Sequence, residues 1–155
     1  MIAIKANSAF PIESEPRFQL TATRDAPAQA RALIEATFID WELRHLIRDG
    51  KLITSELVTN SAVATPDASI WLLLAWEPDA VIIGVWDSSP ILPKKRPCHP
   101  DSESGWGLHI VDALATCNGA FPVTRPDGKI TWAELATLNR LSTPPTLRPI
   151  TCSVA

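Results

Sequence analysis

A chain of 155 residues, 46% hydrophobic and 20% charged, has the size of one ordinary domain and enough apolar residues to bury a core without metal or disulfide support. A net charge of −3, with no basic run longer than Lys94-Lys95-Arg96, argues against direct nucleic-acid binding. The apolar stretches Ile70 to Trp76 and Val81 to Trp86 fall far short of the ~20 residues that cross a bilayer as a helix, and residues 1–16 lack a signal-peptide core, so a cytoplasmic protein without membrane contact is expected. Cys98, Cys117 and Cys152 show no close pairing and no metal-ligand spacing, which predicts free thiols.

Residues 1–16 mix small, polar and proline residues without a period and read as an N-terminal arm; residues 137–155, with Pro144, Pro145 and Pro149, read as a loosely held tail. Between them, Phe18 to Thr21 alternates apolar with polar residues, as a short strand does. Asp25 offers an N-cap, and Ala30, Leu33, Ile34, Phe38 and Trp41 recur at helical steps, predicting a first helix over Ala26 to Trp41. A second helix is predicted over roughly Leu43 to Ala64, and Asp49-Gly50 is a point where it can split in two. The runs Ser69 to Trp76 and Val81 to Trp86 flank Glu77-Pro78-Asp79-Ala80 and predict an antiparallel hairpin.

Ser88 to Ser104 holds four prolines, four serines and three basic residues without periodicity, a long loop of the kind that serves as a lid. A third helix is predicted from Gly107 to Cys117. A second hairpin, Ala120 to Val123 with Lys129 to Leu135, follows around an Asp-Gly turn in Arg125-Pro126-Asp127-Gly128. Too few helices and too many hairpins are present for a doubly wound sheet, so the expected class is α+β, a two-layer sandwich with the helices on one face.

Within this frame Glu56 and Asn60, four residues apart on a helix, project from one side about a turn apart and can share a ligand. A carboxylate there can take a proton or hold a water, and an amide oxygen can ligate Mg²⁺. The same spacing also fits an ordinary solvated helix face. Asp87, at the end of an apolar strand, can accept from a purine amino group or simply cap a turn through Ser88 and Ser89. Gly105-Trp106-Gly107-Leu108 at a helix start can bring backbone N–H groups to phosphate, or be no more than a loop-to-helix junction. The histidines His45, His99 and His109 have no metal-ligand spacing.

Taken in order, Ser55-Glu56-Leu57-Val58-Thr59-Asn60, Val85-Trp86-Asp87-Ser88-Ser89-Pro90 with Pro93 and Arg96, Gly105-Trp106-Gly107-Leu108-His109-Ile110-Val111, and the segment from Gly128 to Trp132-Ala133-Glu134-Leu135 resemble the anti-sigma-factor serine-kinase-like ATPases of actinobacteria. That family belongs with gyrase, heat-shock chaperone, histidine-kinase and mismatch-repair ATPases. The resemblance implies a Bergerat-type fold over residues 17–136, with a mixed, mostly antiparallel sheet and ATP held between the helical layer and a lid. By position it implies Asn60 as the Mg²⁺ ligand, Glu56 as the catalytic base or water-orienting carboxylate and Asp87 as the reader of the adenine amino group. Ser89, Gly105, Gly107 and Leu108 complete the implied ATP site. The implied partner is an anti-anti-sigma-like domain or a sigma factor, which the protein phosphorylates or sequesters, with a homodimer as the implied assembly.

The chain departs from the family's pattern at Ala64, where a His is usual, at Trp106, where an Arg is usual, and at Ile130, where a Thr often helps to hold adenine, with Thr131 facing the other side of the sheet. Ser89 stands in the place of the first glycine-box Gly of the wider superfamily. These departures favour, as the alternative, a nucleotide-dependent protein-binding module with weak catalysis.

Overall fold

The computed structural model describes residues 16–93 and 107–137, and of Gly107 and Leu108 the backbone alone. The arm, most of the tail and residues 94–106 of the lid segment, including Lys94, Lys95, Arg96, Gly105 and Trp106, lie outside the described residues. In chain order the elements are β1 (Arg17–Thr21), α1 (Ala26–Asp40), a 3₁₀ turn (Arg44–Leu46), α2 (Ile47–Ala64), β2 (Ser69–Glu77), β3 (Ala80–Asp87), α3 (Gly107–Leu114), β4 (Cys117–Thr124) and β5 (Asp127–Ala136). The strands form one sheet in the order β1-β2-β3-β5-β4. Every pairing is antiparallel, so the expected mixed sheet is, among the described residues, an all-antiparallel one. The class is α+β, as the alternation of hairpins and helices predicts.

The period of two on β3 sorts its side chains between two apolar clusters. Val81, Ile83 and Val85 join Ile34, Phe38, Ile53, Leu57 and Val58 of α1 and α2 in the larger core, and Ile82 and Trp86 join Leu73, Cys117, Ile130 and Trp132 on the other side of the sheet. All of β3 is buried, which explains why it reads as a continuous apolar run rather than an alternating one. The two layers also meet through aromatic rings: Trp41, at the end of α1, stacks on Trp76 of β2 with centroids 5.4 Å apart and planes 22° from parallel.

Several local expectations are corrected. Gly50 does not split α2; it is buried in the helix where α1 crosses it, and a Cβ there would stand 2.6 Å from Phe38 Cε2, so a side chain is excluded by packing. Asp25 makes no side-chain cap on α1, whose first turn instead carries Pro27. The second hairpin turns at Arg125-Pro126, joined by a cis peptide bond, because Thr124 already pairs with Asp127 and Val123 with Gly128; Asp127-Gly128 therefore belongs to β5. α3 ends at Leu114, and Cys117 opens β4. Cys117 is disulfide-bonded, against the expectation of three free thiols; Cys98 and Cys152 lie outside the described residues. No helix among the described residues is long and apolar enough to cross a membrane.

Candidate functional site

Asp87 is the last residue of β3, and the alternation that sends Val85 into the helical core sends the Asp87 carboxylate toward α2. It is fully buried. A buried carboxylate must be hydrogen-bonded and charge-compensated to be tolerated there, and three groups do this. Ser61 Oγ, on the buried face of α2, donates to Oδ2 at 2.6 Å. The backbone N–H of Ser89 donates to Oδ1 at 3.0 Å, closing the turn that the sequence also allowed for this Asp. Lys129 Nζ donates to Oδ1 at 2.7 Å, forming an ion pair whose side chains are only 6% and 0% exposed. Lys129 reaches the carboxylate because it is the direct cross-strand partner of Asp87 in the β3/β5 ladder.

The same register reassigns the last strand. Ile130 pairs with Trp86 and lies in the apolar cluster on the far face, so it has no part in the Asp87 side of the sheet. The positions that do share that side are Lys129, opposite Asp87, and Thr131, opposite Val85, both buried. Thr131 therefore faces the same layer as Asp87, and Ile130 does not. Gly128 precedes them with no room for a side chain, since a Cβ would overlap the carbonyl oxygen of Asp87.

Glu56 and Asn60 stand on α2, with Asn60 immediately preceding Ser61, so the carboxylate of Asp87 is held within one residue of the predicted metal ligand. Both are partly exposed, on the flank of α2 next to its buried stripe of Ile53, Leu57 and Ser61. Among the described residues neither side chain makes a hydrogen bond or ion pair, in contrast to Asp87. Desolvation by burial raises the Glu56 carboxyl above its ordinary pKa, which favours retention of a proton and makes the carboxylate a better base. The Asn60 amide oxygen, unpaired among the described residues, is a group of the kind that can ligate a cation such as Mg²⁺. No group of three or more His, Cys, Asp and Glu residues among the described residues could hold a metal by itself.

The structure thus brings Asp87, Ser89 and the Asn60 turn of α2 together, and adds two residues that sequence reasoning passed over, Ser61 and Lys129. Ser61 was visible only as a small polar residue on an apolar helical face; Lys129 carried no signal without the strand register. Gly107 and Leu108 open α3 as predicted for a helix start, with Gly105 outside the described residues. No protein-family model matches the chain, and no curated protein matches it.

Proposed function

We propose that the chain is an ATP-binding regulatory protein of the anti-sigma-factor serine-kinase type, with a Bergerat-type arrangement of its two layers. The observation that carries this reading is the anchoring of Asp87: a buried carboxylate clamped between β5 and the turn of α2 that presents Asn60 and, one turn earlier, Glu56. A carboxylate has about four acceptor positions, and three on Asp87 are taken by Ser61, Ser89 and Lys129, which leaves one for the exocyclic amino group of adenine. Because Asp87 is closed to solvent, the base reaches it only when the groups covering it withdraw.

In this reading Asn60 would hold Mg²⁺, and the metal when bound would supply charge neutralisation at the transferring phosphate. Glu56 accepts the proton of an attacking serine hydroxyl or orients a water, a task suited to a carboxylate with a raised pKa. Ser89 fixes the Asp87 side of the pocket through its N–H. Gly105, Gly107 and Leu108 are assigned to the phosphates at the α3 start, where backbone N–H groups and the helix dipole favour anions. The partner in this reading is an anti-anti-sigma-like domain or a sigma factor, and a homodimer and action on transcription belong to the same proposal. So does a cytoplasmic setting.

The test is calorimetry of ATP binding with and without Mg²⁺ for the wild type, Asn60→Ala and Asp87→Ala. Mg²⁺-dependent binding lost in both variants supports the reading; no ATP binding by the wild type overturns it. The second reading, a nucleotide-dependent binding module with weak catalysis, is favoured by Ala64, an exposed small residue where the family carries His. Transfer from γ-labelled ATP to anti-anti-sigma-like domains separates the two: phosphoprotein that disappears with Glu56→Gln supports the kinase, and its absence beside normal ATP binding supports the module.

A further inference from the structure

α2 has a second polar flank, away from Glu56 and Asn60. Residues advance about 100° per position around a helix, so with the buried stripe of Ile53, Thr54, Leu57, Val58 and Ser61 turned to the core, Leu52 falls on the outer face one turn before Glu56, Glu56 and Asn60 fall on one side, and Arg48, Lys51 and Ser55 on the other. That other side faces α1: Arg31 of α1 donates to Ser55 Oγ at 2.9 Å, and Lys51 donates to Glu35 of α1 at 2.7 Å. An open groove of about 720 Å³ is lined by Arg31, Arg44, Ile47, Arg48, Lys51 and Leu52.

Four of the chain's fourteen basic side chains line this one groove of a protein whose net charge is −3, and the ion pair to Glu35 offsets only Lys51. Arg44 and Arg48 are exposed and, among the described residues, carry no side-chain hydrogen bond or ion pair. Leu52 is 41% exposed beside them, and Ile47 below it packs against the core. Arg48 and Lys51 stand three residues apart on α2, and Arg44 precedes them in the 3₁₀ turn.

We propose that this groove docks an acidic amphipathic helix of a protein partner, its carboxylates on Arg44, Arg48 and Lys51 and an apolar side chain on Leu52 and Ile47. Free phosphate or a nucleic-acid backbone would match the charges and leave Leu52 in water; an acidic amphipathic helix, with carboxylates on one face and apolar side chains on the other, satisfies both. The proposal rests on the function above only in taking the occupant to be a protein.

The test uses the full chain and a fluorescein-labelled synthetic amphipathic helical peptide, Glu on one face and Leu on the other, read by anisotropy, with ATP binding measured on every variant. Saturable binding is expected, weakened about tenfold or more by Arg44→Glu/Arg48→Glu and lost when the peptide carries Gln for Glu. The control pair Arg24→Glu/Arg125→Glu, with the same change in net charge at exposed sites elsewhere, is expected to stay within about twofold of wild type. No saturable binding to wild type, equal weakening by both pairs, or an unaffected Arg44→Glu/Arg48→Glu variant overturns the proposal. Displacement of the peptide by a single-stranded oligonucleotide of matched charge overturns it in favour of a nucleic-acid surface. Loss of ATP binding in the wild type speaks against the nucleotide site alone, because the groove is judged by the peptide.

Discussion

The two halves of the candidate nucleotide site are finished to different degrees. At the Asp87 end the protein supplies every partner itself: a serine from α2, a backbone N–H from the following turn and a lysine from β5 converge on one fully buried carboxylate. At the Glu56/Asn60 end the side chains stand partly exposed and, among the described residues, unpaired. A group that the fold has already satisfied is part of the architecture, and its removal damages the fold. A group left unsatisfied and partly exposed contributes little to the fold, and its removal costs little stability.

That contrast orders the expected effects of substitution. Lys129→Met has the largest: it leaves the Asp87 carboxylate buried beside a neutral side chain, a change that typically costs about 3–5 kcal/mol, read from the urea midpoint. A loss below about 1 kcal/mol would erase the distinction between the halves. Ser61→Ala, removing the 2.6 Å hydrogen bond, is expected to cost about 1–3 kcal/mol in the same measurement. Thr54→Val on the same buried face sharpens the point by reversing the sign: among the described residues its Oγ1 has no hydrogen-bond partner, so replacing the hydroxyl by a methyl group is expected to stabilise by about 1 kcal/mol.

The other half shows the smallest stability effects. Asn60→Ala should stay within about 0.5 kcal/mol of wild type while abolishing the Mg²⁺ dependence of ATP binding. For Glu56→Gln the sign follows from the raised carboxyl pKa. The native state binds its proton more tightly than the unfolded chain, so this group lowers wild-type stability as pH rises from below the unfolded pKa through the higher folded one. The variant should therefore melt slightly higher at neutral pH, with the difference vanishing once both states are protonated in acid. A variant that melts lower at neutral pH would mean that Glu56 has a stabilising partner.

Much of the fold was legible because it is carried by local pattern. The helical spacing of Ala30, Ile34 and Phe38, and the two apolar runs around Pro78-Asp79, leave few alternatives to a helix and a hairpin. What was misread depends on partners distant in sequence. Gly50 resembled a break because only the approach of Phe38 shows why a side chain is excluded there. Asp127-Gly128 resembled a hairpin tip, yet pairing across to Thr124 and Val123 decides where the chain turns. The free-thiol expectation for Cys117 failed because an odd count and wide spacing do not reveal which sulfurs meet. In the candidate site, Asp87, Ser89 and the Glu56/Asn60 spacing could be picked out from motif order. Lys129 could not, because its role comes from lying opposite Asp87 across 42 residues of chain.

The Trp41/Trp76 stack gives the molecule an optical signature of its own. Two indoles with centroids 5.4 Å apart and planes 22° from parallel couple their electronic transitions, and one belongs to the end of α1 while the other belongs to β2. Their coupled circular dichroism band would exist only while helix and sheet are docked, and it would fade as the layers part even where each retains its secondary structure. Separation of the layers can therefore be followed in unlabelled protein, at a wavelength distinct from the helical signal.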